Sequence, residues 1–315
     1  MSKKTINWVI FVALAIIWGS SFILMKRGLD VFSSDEVAAL RIFISFLFLS
    51  PLLILHCKKS FLKHWKAFLG MGVFGNLIPA FLFTKAETGI NSSLTGMLNS
   101  LTPLFTLLFG VLLFRTKTQR VNVMGILIGF MGAVGLIVVG GTQGVSSNIF
   151  FSFYVVIATV CYALSVNIIK KYLGGVNSVT ATVWAMLFIG PIAGIYLFSC
   201  TDFINDMSIN VHAMKSLGYV CILAVLGTAI SVIIFNLLVK NTSALFASSV
   251  TYLIPVVAMM WGVFDGEEIQ LFHFLCIAII LLGVYLVNKK NLISPNPVLS
   301  IYQHVDQTSK KSEEN

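Results

Sequence analysis

Residues 243–264 read SALFASSVTYLIPVVAMMWGVF, twenty-two residues without a charge. As an α-helix this stretch is about 33 Å long, enough to cross the hydrocarbon core of a bilayer. It opens on small and hydroxyl residues, carries Pro255 near its middle and ends in an aromatic cluster. An acidic turn, Asp265, Gly266, Glu267 and Glu268, follows at once. Residues 91–114, NSSLTGMLNSLTPLFTLLFGVLLF, repeat the pattern: Pro103 stands twelve residues after Asn91, and Pro255 twelve after Ser243.

The rest of the chain has the same character. Hydrophobic residues make up 57% and charged residues 10%, with a mean hydropathy of +0.94. A soluble domain carries about 25% charged residues, so the composition predicts an all-α polytopic membrane protein. Ten apolar runs are expected to span, at about 6–26, 35–56, 66–85, 92–114, 121–140, 149–170, 178–199, 216–238, 243–264 and 270–288. The first is too long for the core of a signal peptide and has no clear cleavage site, so it reads as an uncleaved span. The net charge of +9 sits in short turns between apolar runs rather than in one patch, which argues against a nucleic-acid partner. Five scattered cysteines form no CxxC pair; they read as small packing residues and predict neither a metal nor a disulfide framework.

Lysine and arginine set the expected orientation. With the N-terminus in the cytoplasm, 16 of the 21 fall inside, four fall outside, and Arg41 lies within a span. Both termini are then cytoplasmic. The two similar stretches are spans four and nine, so the repeat has five spans, and an odd unit must insert the second time upside down. The turn after span four (Arg115, Lys117, Arg120) then lies inside, and its acidic counterpart after span nine lies outside. WGSSFILMKRGL in span one and YALSVNIIKKYL in span six echo one another, Lys26 standing opposite Lys170. The expected units are residues 1–145 and 146–290, with 291–315 a disordered cytoplasmic tail. Inverted repeats are the architecture of secondary transporters, whose site lies near the midplane where the repeats meet; two lopsided halves packed for stability are the alternative.

The chain resembles the drug/metabolite transporter superfamily, in its EamA-like ten-span branch. The residues that carry the resemblance are WGSSF (Trp18–Phe22), ALR (Ala39–Arg41), the serine-rich starts and central prolines of spans four and nine, and GEE (Gly266–Glu268) before the last span. It covers about residues 6–288. The first half departs from it: Arg115, Thr116 and Lys117 stand where the family often has a second glycine–glutamate turn, which suggests a role in topology or packing. The resemblance implies small amino acids or similar metabolites as cargo, export as the commoner direction, and an inner-membrane location.

A membrane enzyme would need acid, base, nucleophile or metal ligands at one depth. The twelve acidic residues and five histidines fall in turns, span ends or the tail, with no metal-ligand spacing. Neither an enzyme nor a cofactor is expected. The same census disfavours a proton-coupled exporter of lipophilic cations, which would place a carboxylate at midplane, and favours a neutral or zwitterionic substrate.

Pro103 and Pro255 each free a carbonyl one turn back, at Asn99 and Thr251, and a freed carbonyl in lipid must be satisfied or face a cavity. Asn99, Ser100, Thr102, Ser248, Ser249, Thr251 and Tyr252 surround these points, and the two proline regions are the central candidates, with a packed structural kink as the alternative. Trp18 and Ser21 in span one, Tyr162 and Ser165 in span six, Asn76 in span three and Ser231 in span eight are the next candidates for the path; core packing or helix–helix contact would also account for them. Arg41 reads either as a contact for a substrate carboxylate or as a structural residue turned outward to Asp35 or Glu36. Gly125, Gly129, Gly132 and Gly135 form a small-residue stripe, read as close helix packing or a homodimer face. A non-transporting membrane receptor or scaffold remains the functional alternative.

Overall fold

The computed structural model describes residues 2–56, 61–90, 92–116, 118–141, 149–264 and 271–288, and among them the elements are helices joined by short turns. The Gly266–Glu268 turn and the tail lie outside the described residues. Helices run in chain order as α1 (Lys3–Leu29), α2 (Ser34–Leu49), α3 (Leu53–His56), α4 (Phe61–Gly72), α5 (Ile78–Glu87), α6 (Ser92–Leu98), α7 (Thr102–Leu112) and α8 (Arg120–Gly141). The second half gives α9 (Ile149–Tyr172), α10 (Ser178–Cys200), α11 (Phe203–Ile209), α12 (Ala213–Ala224), α13 (Ser231–Asn241), α14 (Ala244–Ser248), α15 (Ile254–Phe264) and α16 (Leu271–Asn288).

Among the described residues seven helices are long and apolar enough to cross a membrane, and shorter apolar helices cover Arg120–Gly132 and Phe274–Val287. The predicted second span is cut by Pro51, which opens a 3-10 turn over Ser50–Leu52, so α2 has 16 residues and α3 four. Several of the seven are themselves interrupted. α4 passes into α5 through a π-turn over Val73–Leu77, and α12 passes into α13 through another over Val225–Ile230. α6 passes into α7 through a 3-10 turn over Asn99–Leu101, and α14 leads toward α15 through a 3-10 turn over Ser249–Tyr252. The two halves break their helices at matching places.

Packing is crosswise. α1 packs on α12 and α15 of the second half; α9 packs on α5 and α7 of the first. Equivalent helices also meet directly, α2 on α10 and α8 on α16. A Cβ at Gly125 would lie 2.7 Å from the Val287 nitrogen, one at Gly132 2.8 Å from Ile280, and one at Gly135 2.7 Å from the Cys276 sulfur. Contacts descend α16 as they climb α8, so the two helices run antiparallel. α2 and α10 do likewise, Gly190 meeting Phe46 and Gly194 meeting Phe43. The glycine stripe therefore serves close packing inside the chain: backbones approach where no side chain intervenes, and the stripe lends a homodimer no support.

Two helix ends carry distinct caps. Ser33 and Glu36 form a capping box at the start of α2, with Ser33 N–H donating to Glu36 Oε2 at 2.8 Å and Glu36 N–H to Ser33 Oγ at 3.3 Å. After α7, Arg115 takes φ 53°, the left-handed turn that ends a helix, and Thr116 N–H returns to the Gly110 carbonyl at 2.8 Å.

Candidate functional site

Proline supplies no N–H, so Pro103 leaves the Asn99 carbonyl without its helical donor, and Pro255 does the same to Thr251. Both carbonyls accept a hydroxyl, and that of Asn99 also accepts the Thr102 N–H of its 3-10 turn. Thr102 Oγ1 donates to the Asn99 carbonyl at 2.8 Å. Ser100 Oγ donates across the halves to the Thr251 carbonyl at 3.2 Å. The two breaks meet one another at the centre of the molecule.

The π-turns place carbonyls in the same region. Gly227 O accepts Ser231 Oγ at 2.6 Å and Trp18 Nε1 at 3.1 Å, and Trp18 Nε1 also reaches Ser231 Oγ at 3.1 Å. Ala224 O accepts Ser45 Oγ at 2.8 Å. In the first π-turn Asn76 Nδ2 turns back to the Met71 carbonyl at 3.4 Å. Each π-turn carries a glycine that a serine of the opposite half covers. A Cβ at Gly227 would lie 2.8 Å from Ser21 Oγ, and one at Gly75 would collide with Ser165 Oγ.

These elements enclose a cavity of about 80 Å³. Trp18, Ser21, Phe22 and Met25 reach it from α1, Arg41 from α2, and Tyr162 and Val166 from α9. Gly75, Asn76 and Phe83 form its wall on one side, with Gly227, Val232 and Phe235 opposite. The proline breaks contribute Asn99, Thr102, Ser248 and Thr251. The hydroxyls on this wall donate to their own helices: Ser21 to Ile17 O at 2.9 Å, Ser248 to Leu245 O at 3.0 Å, Thr251 to Ser248 O at 2.9 Å. What they present to the cavity is acceptor oxygen.

Arg41 supplies the cationic donor. Its Nε donates to Thr228 Oγ1 at 2.6 Å, and Tyr162 of the cavity wall lies within hydrogen-bond reach of the guanidinium, which has five N–H donors in all. The outward pairing weighed from sequence is not formed: Glu36 is engaged in its capping box, and Asp35 accepts from Tyr196 at 3.3 Å. An aromatic layer bounds the cavity near Arg41. Tyr162 stacks on Phe83 with ring centroids 5.7 Å apart, and Phe22 meets Phe83 at 5.9 Å.

Of the residues singled out from sequence, Trp18, Ser21, Arg41, Asn76, Asn99, Thr102, Tyr162, Ser248 and Thr251 are on the cavity wall. Pro103, Ser165, Ser231, Tyr252 and Pro255 stand behind it. The prolines shape the breaks, and Ser165 and Ser231 hold the π-turns. Tyr252 is fully buried, turned away against Gly129, and its hydroxyl donates to the Ile126 carbonyl at 3.1 Å. Unforeseen on the wall are Phe22, Met25, Gly75, Gly227, Phe83, Val166, Val232 and Phe235. A signal for the glycines was present, since Gly75 and Gly227 stand at the same separation as Pro103 and Pro255. The apolar ones had none, being indistinguishable from dozens of lipid-facing or packed residues.

A polytopic helical chain whose two halves bring matching helix breaks to one internal cavity has the build of a membrane carrier. The chain belongs to the EamA-like transporter family, whose model matches residues 6–138 and 149–289, one repeat in each half. A protein of Archaeoglobus fulgidus named "Uncharacterized transporter" is 25% identical over 285 residues, 90% of this chain and 99% of that protein. The "Uncharacterized inner membrane transporter YedA" of Escherichia coli K12 is 26% identical over 298 residues, 91% of this chain and 92% of its own. A chain of known crystal structure superposes with a TM-score of 0.70 at 15% identity, over 93% of this chain and 100% of that one, which shows the shared fold. The protein is thus a multi-pass membrane transporter of the EamA family, and the family is one of transporters, not enzymes.

Proposed function

We infer that this transporter is a ten-span carrier of two inverted five-helix units, residues 1–145 and 146–290, moving a small neutral or zwitterionic metabolite such as an amino acid. The observation that carries the substrate class is the wall chemistry: acceptor oxygens on the proline breaks and one guanidinium, Arg41, on the cavity wall beside Tyr162. Acceptors suit an ammonium or hydroxyl group, and a guanidinium suits a carboxylate. The inversion is supported by the antiparallel contacts between equivalent helices, α2 with α10 and α8 with α16. The bend points at Asn99–Leu101 and Ser249–Tyr252 are where α1, α5 and α7 rock against α9, α13 and α15, opening the cavity to one side and then the other.

The lysine and arginine distribution supports cytoplasmic termini. The name of the Escherichia coli relative supports the inner membrane, and the family resemblance favours export. The test is counterflow in proteoliposomes loaded with a panel of neutral, acidic and cationic amino acids, nucleosides and drugs, with and without a pH gradient. Saturable exchange of a neutral amino acid, lost in Ser248→Trp, is the expected result. Exchange confined to cations removes the argument from the wall chemistry. Bound compounds without exchange favour a receptor.

A further inference from the structure

Glu87 ends α5, one helical turn beyond Phe83 of the cavity wall. Both of its carboxylate oxygens are shut off from solvent and lack a hydrogen-bond partner among the described residues. Ser92 stands beside it on α6, its hydroxyl turned to the Phe22 carbonyl at 3.4 Å. The charges that act on it come from two other helices, Lys26 of α1 and Arg41 of α2. α9, which packs on α5, brings two titratable side chains to this region, Tyr162 stacked on Phe83 and Tyr154 packed in the cluster that holds Ala86 and Ile90; on the helix of Glu87 itself, Lys85 is exposed.

Comparison of the two halves singles this place out. Lys26 and Lys170 are equivalent residues of α1 and α9. Lys170 Nζ clasps the end of α13, donating to the carbonyls of Val239 at 3.0 Å, Lys240 at 3.3 Å and Thr242. Counted back from the two prolines, Glu87 holds the position of Val239. One end of the carrier closes through a lysine on backbone carbonyls, which do not titrate. The other end sets a carboxylate at the same place, which does.

An ionised carboxylate without a partner and away from water is strongly disfavoured, and a proton removes that penalty. Once its end of the carrier opens, water reaches the group and the proton can leave. We propose that Glu87 is the proton-binding residue of this carrier, taking up a proton from water as its end closes and returning it to water as that end opens. Its place behind the Phe22–Phe83–Tyr162 layer puts it between the cavity and one mouth, so a proton and the cargo use the same opening. The proposal rests on the carrier reading above.

Two measurements on the full chain test it. Dicyclohexylcarbodiimide reacts with protonated carboxyls in apolar surroundings; peptide mass mapping of reconstituted protein between pH 5 and 9 should find Glu87 labelled, with labelling falling as pH rises. An unlabelled Glu87 across that range overturns the proposal, whatever is found about transport. Counterflow of neutral amino acids is then compared in wild type, Glu87→Gln and Glu87→Asp, with and without a pH gradient. A several-fold response to the gradient in wild type and Glu87→Asp, absent in Glu87→Gln, is expected. An equal response in all three overturns the proposal while leaving the carrier reading intact. Absence of exchange in wild type instead counts against the carrier reading and leaves the labelling to decide whether Glu87 takes up a proton.

Discussion

The Ser100 hydroxyl donates to the Thr251 carbonyl at 3.2 Å, and that carbonyl is the one Pro255 leaves without a helical N–H. A residue of the first broken helix thus repairs the defect in the second. Both residues are buried, so water is not a substitute. The contact explains how two helix breaks are tolerated side by side in the interior of a membrane protein.

Replacing Ser100 by Ala should expose this dependence. The Thr251 carbonyl would be buried and unpaired, at a cost of about 1–3 kcal/mol. Thermal unfolding in detergent should show a lowered Tm for Ser100→Ala and a near-native value for Ser100→Thr, which keeps the hydroxyl.

Arg41→Lys keeps the charge and loses the planar fork. If the terminal amino groups of Arg41 hold a substrate carboxylate, the substitution should raise KM for zwitterionic cargo about 10-fold or more, the size of a lost charge-assisted bond, with little change in kcat. An unchanged KM would assign Arg41 to the Thr228 contact alone. Concentration-dependent counterflow separates the two.

Gly283→Val should separate α16 from α8. A Cβ at Gly283 would lie 2.5 Å from the Gly129 nitrogen, backbone that cannot step aside. Overpacking of this kind costs about 1–3 kcal/mol, read as a lower Tm. Gly218→Ala, on α12 with nothing within 4 Å of its added Cβ, should not lower it.

Lys170→Met removes the donor from three carbonyls at the end of α13. Bonds to a charged group contribute about 1.5–3 kcal/mol. Hydrogen exchange followed by mass spectrometry should show faster exchange in the peptide covering residues 238–243, with the α8–α16 pair unaffected.

Hydropathy made the spans legible because lipid accepts only helices whose backbone is satisfied within the segment. The echo of Pro103 in Pro255 located the helix breaks in spans four and nine, since a missing N–H is a property of the residue and not of its neighbours. Family membership was legible in the sequence as well: WGSSF stands in the first span, and the serine–proline pattern occurs in both halves. The π-turns at Val73–Leu77 and Val225–Ile230 were not legible, because each packs its glycine against a serine of the opposite half, Ser165 or Ser21, that the local sequence does not contain. Tyr252 and Thr251 are neighbours in sequence, yet one packs on Gly129 and the other lines the cavity. Glu87 read as a residue at a span end, and only folding shows its oxygens sealed from water. Composition and periodicity report what each residue prefers along its own helix; which face meets a cavity, a glycine or a buried charge is set by helices that arrive from the other half of the chain.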